Sequence, residues 1–184
     1  MHRFTAAGQH MLSFGESGTD TGQFYCPHNI VMHPDGGAVL VADRENSRIS
    51  VWSVDGEPLH NWPAGHRPAG ICVGKGPSEG LLFVAEQGNR MSFAGYTDWD
   101  RLDTWSPNIG CRVSILDLRT GEIVQRLGGA TPGEGPGHFI SLHSIAVDSV
   151  GDIYCAEVSN VDVGQHMNPP RELMSLRKWR RVQE

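Results

Sequence analysis

No stretch of the 184 residues approaches the ~18 consecutive apolar residues that a membrane-spanning helix requires. The opening Met1-His2-Arg3-Phe4 is not followed by an apolar core of the kind a secretory signal needs. Membrane is therefore not an expected partner, and the compartment stays undetermined with the cytoplasm as the default. Cysteine is scarce: Cys26, Cys72, Cys111 and Cys155 show no CxxC spacing, which argues against a cysteine-built metal knuckle. Cys72 and Cys155 sit inside apolar strand patterns and are expected to be buried thiols, with a disulfide left open. Basic charge is also scarce, at 15 Lys and Arg against 21 Asp and Glu, for a net charge of −6. The one basic cluster is Arg177, Lys178, Arg180 and Arg181. It alternates with Leu176, Trp179 and Val182 and reads as a strand with a wet face, so nucleic acid is not an expected partner.

What the chain has in quantity is turn residues. Its 23 glycines and 11 prolines favour many short strands over long helices. Three segments open alike, at Ile30-Val31-Met32, Ile71-Cys72-Val73 and Ile145-Ala146-Val147. Each leads through a glycine-containing turn into a second apolar run that ends in an acid: Val39 to Asp43, Leu82 to Glu86 and Ile153 to Glu157. A strictly alternating third run follows in Arg48-Ile49-Ser50-Val51-Trp52 and again in Arg112-Val113-Ser114-Ile115-Leu116. A fourth short strand comes next, as in Ile123 to Leu127. The unit is four short strands; 41 residues separate Ile30 from Ile71, and 74 separate Ile71 from Ile145. A repeat of ~40–45 residues with four strands is the signature of a propeller blade. The expected fold is all-β, a β-propeller of four-stranded antiparallel blades.

The ends match parts of the repeat. Residues 2–14 align with residues 50–62, a third strand, a glycine turn and a fourth strand. Residues 174–182 read as a third strand with no fourth after it. The expected organisation is the outer half of a blade at 1–20, a blade at 21–65, a blade at 66–130 with a long insert at 88–110, and a last blade at 131–184 lacking its outer strand. That makes three to three and a half blades, fewer than the four to eight of closed propellers. The chain is thus expected to be part of a larger propeller or to self-associate through open blade edges. Two copies forming a ring of six would place His28 and His143 on blades one, three, four and six, which breaks an every-other-blade pattern, so dimerisation is not expected to complete a metal site of that spacing.

Antiparallel pairing puts the start of strand one and the end of strand two at the same mouth of the central channel. His28 and His143 stand before strand one, Arg44 stands after strand two, and Glu157 closes a second strand at the level of Asp43. The middle blade has Ala69 where its neighbours have histidine. Neutral imidazoles on alternate blades are suited to zinc, which takes three or four ligands, so a further ligand must come from elsewhere. Each residue also has a structural reading: a histidine here can cap backbone groups, and Arg44 can close a turn. Arg48 is expected to be structural, pairing with a neighbouring acid; His33, His60, His66, His138 and His166 are expected at the surface. Tyr96, Trp99 and Trp105 in the insert could form a lid or a recognition surface.

Nearly the whole chain resembles NHL repeats, most strongly from Gly22 to Ile49. More narrowly, Cys26-Pro27-His28-Asn29-Ile30, Ala42-Asp43-Arg44-Glu45-Asn46 and Ser141-Leu142-His143-Ser144-Ile145 resemble the peptidyl-α-hydroxyglycine α-amidating lyase family. That resemblance implies a six-bladed propeller that cleaves peptidyl-α-hydroxyglycine to a peptide amide and glyoxylate. It implies a zinc held by three histidines on alternate blades, an active-site arginine, a tyrosine that acts on the substrate hydroxyl, and a structural calcium. His28 and His143 match the second and third zinc histidines, and Arg44 matches the arginine. The first histidine and the tyrosine would fall before Met1. Ser144 stands where the family has a calcium-binding Asp, and Ser141 where it has Met, so calcium is not carried over. The implied activity is metal-dependent cleavage of a peptidyl or small α-hydroxyglycine amide. The other readings are a non-catalytic NHL module that binds a partner, and an inactive fragment.

Overall fold

The computed structural model describes residues 1–88, 111–129 and 131–182. Fifteen strands make up the described chain. An opening hairpin pairs β1 (His2–Phe4) with β2 (His10–Ser13), and a small parallel pair joins β3 (Glu16–Ser17) to β4 (Gln23–Phe24). The first full sheet runs β5 (Pro27–Met32), β6 (Ala38–Asp43), β7 (Arg48–Ser53), β8 (Pro58–Pro63). The middle sheet runs β9 (Pro68–Val73), β10 (Leu81–Glu86), β11 (Arg112–Asp117), β12 (Ile123–Leu127). The last has three strands, β13 (Leu142–Val147), β14 (Ile153–Glu157) and β15 (Leu176–Trp179), with a one-turn helix α1 (Ser159–Asp162) after β14. Within these three sheets every pairing is antiparallel between sequence neighbours. This is the all-β propeller-blade architecture that the repeat predicts.

Period-two alternation gives each sheet two apolar faces, and stacking the sheets buries them. Leu40, Ala42, Ile49 and Val51 of the first sheet pack against Ile71, Leu82 and Val84 of the middle one. Phe83, Ala85, Val113 and Ile115 on the other face of the middle sheet pack against Ile145, Val147, Ile153 and Cys155 of the last. The inner strands β9 and β13 approach so closely that a Cβ on Gly70 would lie 2.8 Å from the Cα of Ser144. Only glycine fits there. The opening hairpin is joined to the first sheet by Phe14 and Phe24, whose rings lie 5.1 and 4.9 Å from that of Trp52.

One device recurs in all three sheets. The acid that ends strand two is buried and binds an arginine near the start of strand three, which stands directly opposite it in the first two sheets and opposite Cys155 in the last. Asp43 accepts from Arg48 Nε at 2.8 Å, Glu86 from Arg112 Nε at 3.1 Å, and Glu157 from Arg177 Nε at 2.6 Å. The same carboxylates take backbone N–H groups from the segment leading into strand one: Tyr25, His66, and Ile140 with Ser141. Each bracket ties three segments of its blade together and satisfies the charge it buries. Arg48 is thus structural, as its place in the pattern suggests. Asp43 and Glu157 are brackets rather than channel groups.

The basic cluster of the last strand differs from the sequence expectation. Arg177 is buried in its bracket and also donates to the carbonyls of Gly133, Glu134 and Gly135, whereas Leu176 is 69% exposed. Charge pairing with Glu157 sets the register of β15, and the apolar residue takes the open face. Cys155 is buried as expected and Cys72 half-buried; Cys111 is the other buried thiol, and all four cysteines are free.

Candidate functional site

The channel mouth is built from positions that the blade brackets hold. Cys26, Arg67 and Ser141 are equivalent residues just before β5, β9 and β13. Cys26 and Arg67 both have left-handed backbones, at φ 60° and 50°. Two positions on come His28, Ala69 and His143. After the strand-two acids come Arg44, Gln87 and Val158.

His28 reaches across to the middle blade, where its Nδ1 donates to the Ala69 carbonyl at 2.8 Å. A carbonyl can only accept, so this bond puts the proton on Nδ1 and leaves the Nε2 lone pair available. The small Ala69 side chain leaves room above the middle blade for the rings of His28 and His143. Their centroids lie 4.6 Å apart at an interplanar angle of 80°. Burial pushes the His143 pKa below the ordinary histidine value, and the neighbouring His28, Arg44 and Arg67 push it further down. His143 is therefore a neutral imidazole at pH 7, the form that ligates metals.

Arg44 lies in a short 3₁₀ turn (Arg44–Asn46) directly after Asp43. Its Nε donates to Glu45 Oε1 at 3.0 Å and its Nη2 to Cys26 Sγ at 3.2 Å. Arg67 meets the same carboxylate, with Nη2 at 3.1 Å from Glu45 Oε1, and its Nη1 donates to the Gly88 carbonyl at 2.9 Å. Burial works to raise the Glu45 pKa, but the two guanidinium groups, Arg67 foremost, outweigh it and hold the carboxylate charged. Beyond Arg67, Gln87 Nε2 lies 3.4 Å from Asp162 Oδ2, which also accepts from Ser141 Oγ. The Oε1 of Gln87 is buried and has no hydrogen-bond partner among the described residues.

The three residues singled out from sequence are thus brought together: His28 and His143 as a ring pair, with Arg44 close enough to act on His143 electrostatically. Among the described residues no group of three or more His, Cys, Asp or Glu is arranged to hold a metal. Sequence reasoning missed Cys26, Arg67, Gln87 and Asp162, and it saw Glu45 only as a salt-bridge partner of Arg44 in a turn, a pairing the structure has. The repeat register could have found Arg67 and Gln87, which occupy the places of Cys26 and Arg44 one blade on. Asp162 lies on a one-turn helix where the first sheet has the short 3₁₀ turn Arg44–Asn46. His66, expected at the surface, is half-buried, its Nδ1 has no hydrogen-bond partner among the described residues, and burial lowers its pKa. Tyr96, Trp99 and Trp105 lie outside the described residues.

Residues 24–52 match the NHL repeat family model. A stretch of 57 residues is 37% identical to the peptidyl-glycine alpha-amidating monooxygenase A of Xenopus laevis, covering 29% of this chain and 6% of that protein. A protein of unknown function from Bacteroides caccae superposes with a TM-score of 0.63 at 13% identity, over 95% of this chain and 53% of that one. A functionally unknown protein from Desulfotomaculum acetoxidans DSM 771 superposes with a TM-score of 0.54 at 15% identity, over 85% of this chain and 41% of that one. The chain therefore spans about half the length of the structures it resembles, and that likeness concerns fold alone. The described chain is a series of propeller blades with an NHL repeat in the first of them, and it shares a short stretch of sequence with an amidating enzyme.

Proposed function

We propose that this chain supplies part of the active site of a metal-dependent lyase that cleaves peptidyl or small α-hydroxyglycine amides. The observation that carries the reading is the His28–His143 pair. One ring has its Nδ1 committed to a backbone carbonyl, the other is held neutral, and an arginine lies alongside. The donor set suits zinc in kind, with two imidazole nitrogens; a third ligand has to come from outside this pair. Zinc, when bound, lowers the pKa of a coordinated hydroxyl. In the reaction the C–N bond of the α-hydroxyglycine breaks, the hydroxyl proton leaves, and the amide nitrogen gains a proton, giving the amide and glyoxylate.

Arg44 has the role of holding the substrate's carboxylate or carbonyl oxygen, for which a planar guanidinium is suited. Glu45 and Cys26 fix that guanidinium in place. Burial of the mouth strengthens these polar contacts relative to water. Calcium has no support in the residues present, since Ser144 replaces the acid it would need.

The test measures zinc content and glyoxylate release from an α-hydroxyglycine amide. His28→Ala and His143→Ala are expected to weaken zinc binding at least tenfold, while Arg44→Ala retains zinc and loses turnover. Wild-type protein that takes up no zinc when titrated with it would overturn the reading. The match of residues 24–52 to the NHL repeat model suits one competing view equally, a non-catalytic NHL module. On that view the two histidine variants change neither metal content nor turnover.

A further inference from the structure

We infer that the ligand of this channel mouth is a short zwitterion, whose carboxylate is held by Arg44 and whose free ammonium is held by Asp162. This rests on the reading of the mouth as a substrate site and adds to it the chemistry of the substrate's far end. A backbone contact recurs in all three sheets. The residue after the strand-two acid donates its N–H to the carbonyl of the residue two before the histidine position: Arg44 to Cys26 at 3.4 Å, Gln87 to Arg67 at 3.1 Å, and Val158 to Ser141 at 3.0 Å. The two positions therefore face each other on every blade, and their side chains can be compared directly.

On the first sheet the side chains of that pair also meet, with Arg44 Nη2 donating to Cys26 Sγ at 3.2 Å. On the last sheet Val158 carries no polar group, and Asp162 takes over one helical turn later. The Asp162 N–H donates to the Val158 carbonyl at 2.9 Å, and its carboxylate accepts from Ser141 Oγ. Each blade that carries a histidine thus sets one charged group on the residue two before it, and the two charges are opposite. Both act on the ring pair: Arg44 pushes the His143 pKa down and Asp162 pushes it up.

Neither charge is cancelled among the described residues. Arg44 and Arg67 share the carboxylate of Glu45, two guanidinium groups against one acid. Asp162 has neutral donors only, Ser141 Oγ and, at 3.4 Å, Gln87 Nε2. The buried acids Asp43, Glu86 and Glu157 differ in that each has its arginine. Asp162 is only half-buried, so a ligand can reach it. The Gln87 amide beside it carries a further acceptor, Oε1, which has no hydrogen-bond partner among the described residues. A single carboxylate with two neutral neighbours falls short of the about six to eight oxygens that calcium takes. It matches an ammonium, which brings only N–H donors and a positive charge. The excess of guanidinium on the first blade matches a carboxylate. In an α-hydroxyglycine amide the carboxylate lies at the reacting end, so the ammonium is the free N-terminus of the acyl part. The substrate on this view is a short, unblocked peptide.

The experiment measures binding of glycylglycine, triglycine and tetraglycine to the purified 184-residue chain, each with a free and with an acetylated N-terminus, by NMR of the His28 and His143 rings. At least one free peptide is expected to bind about tenfold more tightly than its acetylated form. Asp162→Asn, which can still accept from Ser141, is expected to remove that preference with unchanged circular dichroism. Arg44→Ala is expected to weaken the free and acetylated forms alike. Amidating the peptide C-terminus is expected to cost the wild type about tenfold and Arg44→Ala nothing further. Equal affinity for free and acetylated forms at all three lengths, a preference that survives in Asp162→Asn, or no binding of any peptide would overturn the inference. Peptide binding is read without zinc or turnover, so the two readings fail separately. Glyoxylate release with no preference for a free ammonium would sink this inference alone, and the preference without zinc uptake would sink the lyase reading alone.

Discussion

Replacing Asp43 by Asn keeps the side chain's shape while removing its charge and one of its acceptor oxygens. The buried Asp43 Oδ2 accepts from Arg48 Nε at 2.8 Å and from Asn46 Nδ2 at 2.7 Å. In the variant, an amide NH₂ at that position would face two donors, and the Arg48 guanidinium would lose its counter-ion while still held against the carbonyls of Thr19, Asp20 and Gln23. Breaking one side of a buried pair costs about 3–5 kcal/mol. Because Arg48 keeps those carbonyl partners, the lower end is expected, about 3 kcal/mol. For a chain of this size that corresponds to a fall in Tm of about 6–12 °C. The control is Arg3→Ala, which breaks the 2.9 Å pair with Asp55 at the surface and is expected to change Tm by no more than about 2 °C. Urea unfolding monitored by tryptophan fluorescence provides the free energies. A loss below about 1 kcal/mol for Asp43→Asn would refute the view that the bracket is an essential tie.

The depressed pKa of His143 predicts an NMR titration midpoint below the ordinary histidine value, moving upward in Arg44→Ala as one neighbouring cation is removed. The unfolded chain then binds this proton more readily than the folded one, so the stability His143 contributes is present above about pH 6.5 and falls as pH drops toward its folded-state pKa. A midpoint at or above about 6.5 would contradict the burial argument. Among the thiols, burial raises Cys111 and Cys155 to about 12, whereas Cys26 is exposed. An aromatic disulfide reagent at about pH 8 should therefore modify Cys26 in the native protein and leave Cys111 and Cys155 unmodified until urea is added. Rapid native labelling of either buried thiol would be inconsistent with the packing described.

The blade repeat was readable in the sequence because it rests on features that do not depend on distant partners. These are alternating apolar residues, glycine turns and an acid closing the second strand. The pairing of that acid with the arginine opening the third strand was anticipated for Arg48, where the two lie close together in sequence. It was missed for Arg177, which lies 20 residues after Glu157 behind a helix and a loop. There Trp179 packs inward as its apolar character suggests, but Leu176 and Val182 are exposed and Arg177 is buried, since apolar periodicity cannot register a buried charge that needs a partner. The site was half readable. His28, His143 and Arg44 stand out against the repeat, but Glu45 and Asp162 reach the mouth from a tight turn and a one-turn helix, whose course no periodicity describes.

The three blades separate scaffold from site by what they hold constant. The acid–arginine bracket is repeated in every blade, with Asp for Glu in the first and a shifted arginine in the last, because each blade buries a charge in the same corner. The residues flanking it vary: Arg44, Gln87 and Val158 after the acid, and His28, Ala69 and His143 at the start of the inner strand. If these positions served blade packing, the shared geometry would favour the same residue in each. Instead alanine stands on the blade between the two histidines, and its carbonyl orients one of their rings. The middle blade thus contributes to the site by giving up a side chain. An Ala69→Leu variant should therefore fold with its brackets intact and separate the imidazoles, abolishing the influence of His28 on the titration of His143. If the midpoint of His143 in that variant matched wild type, the two rings would not be coupled through the space above Ala69.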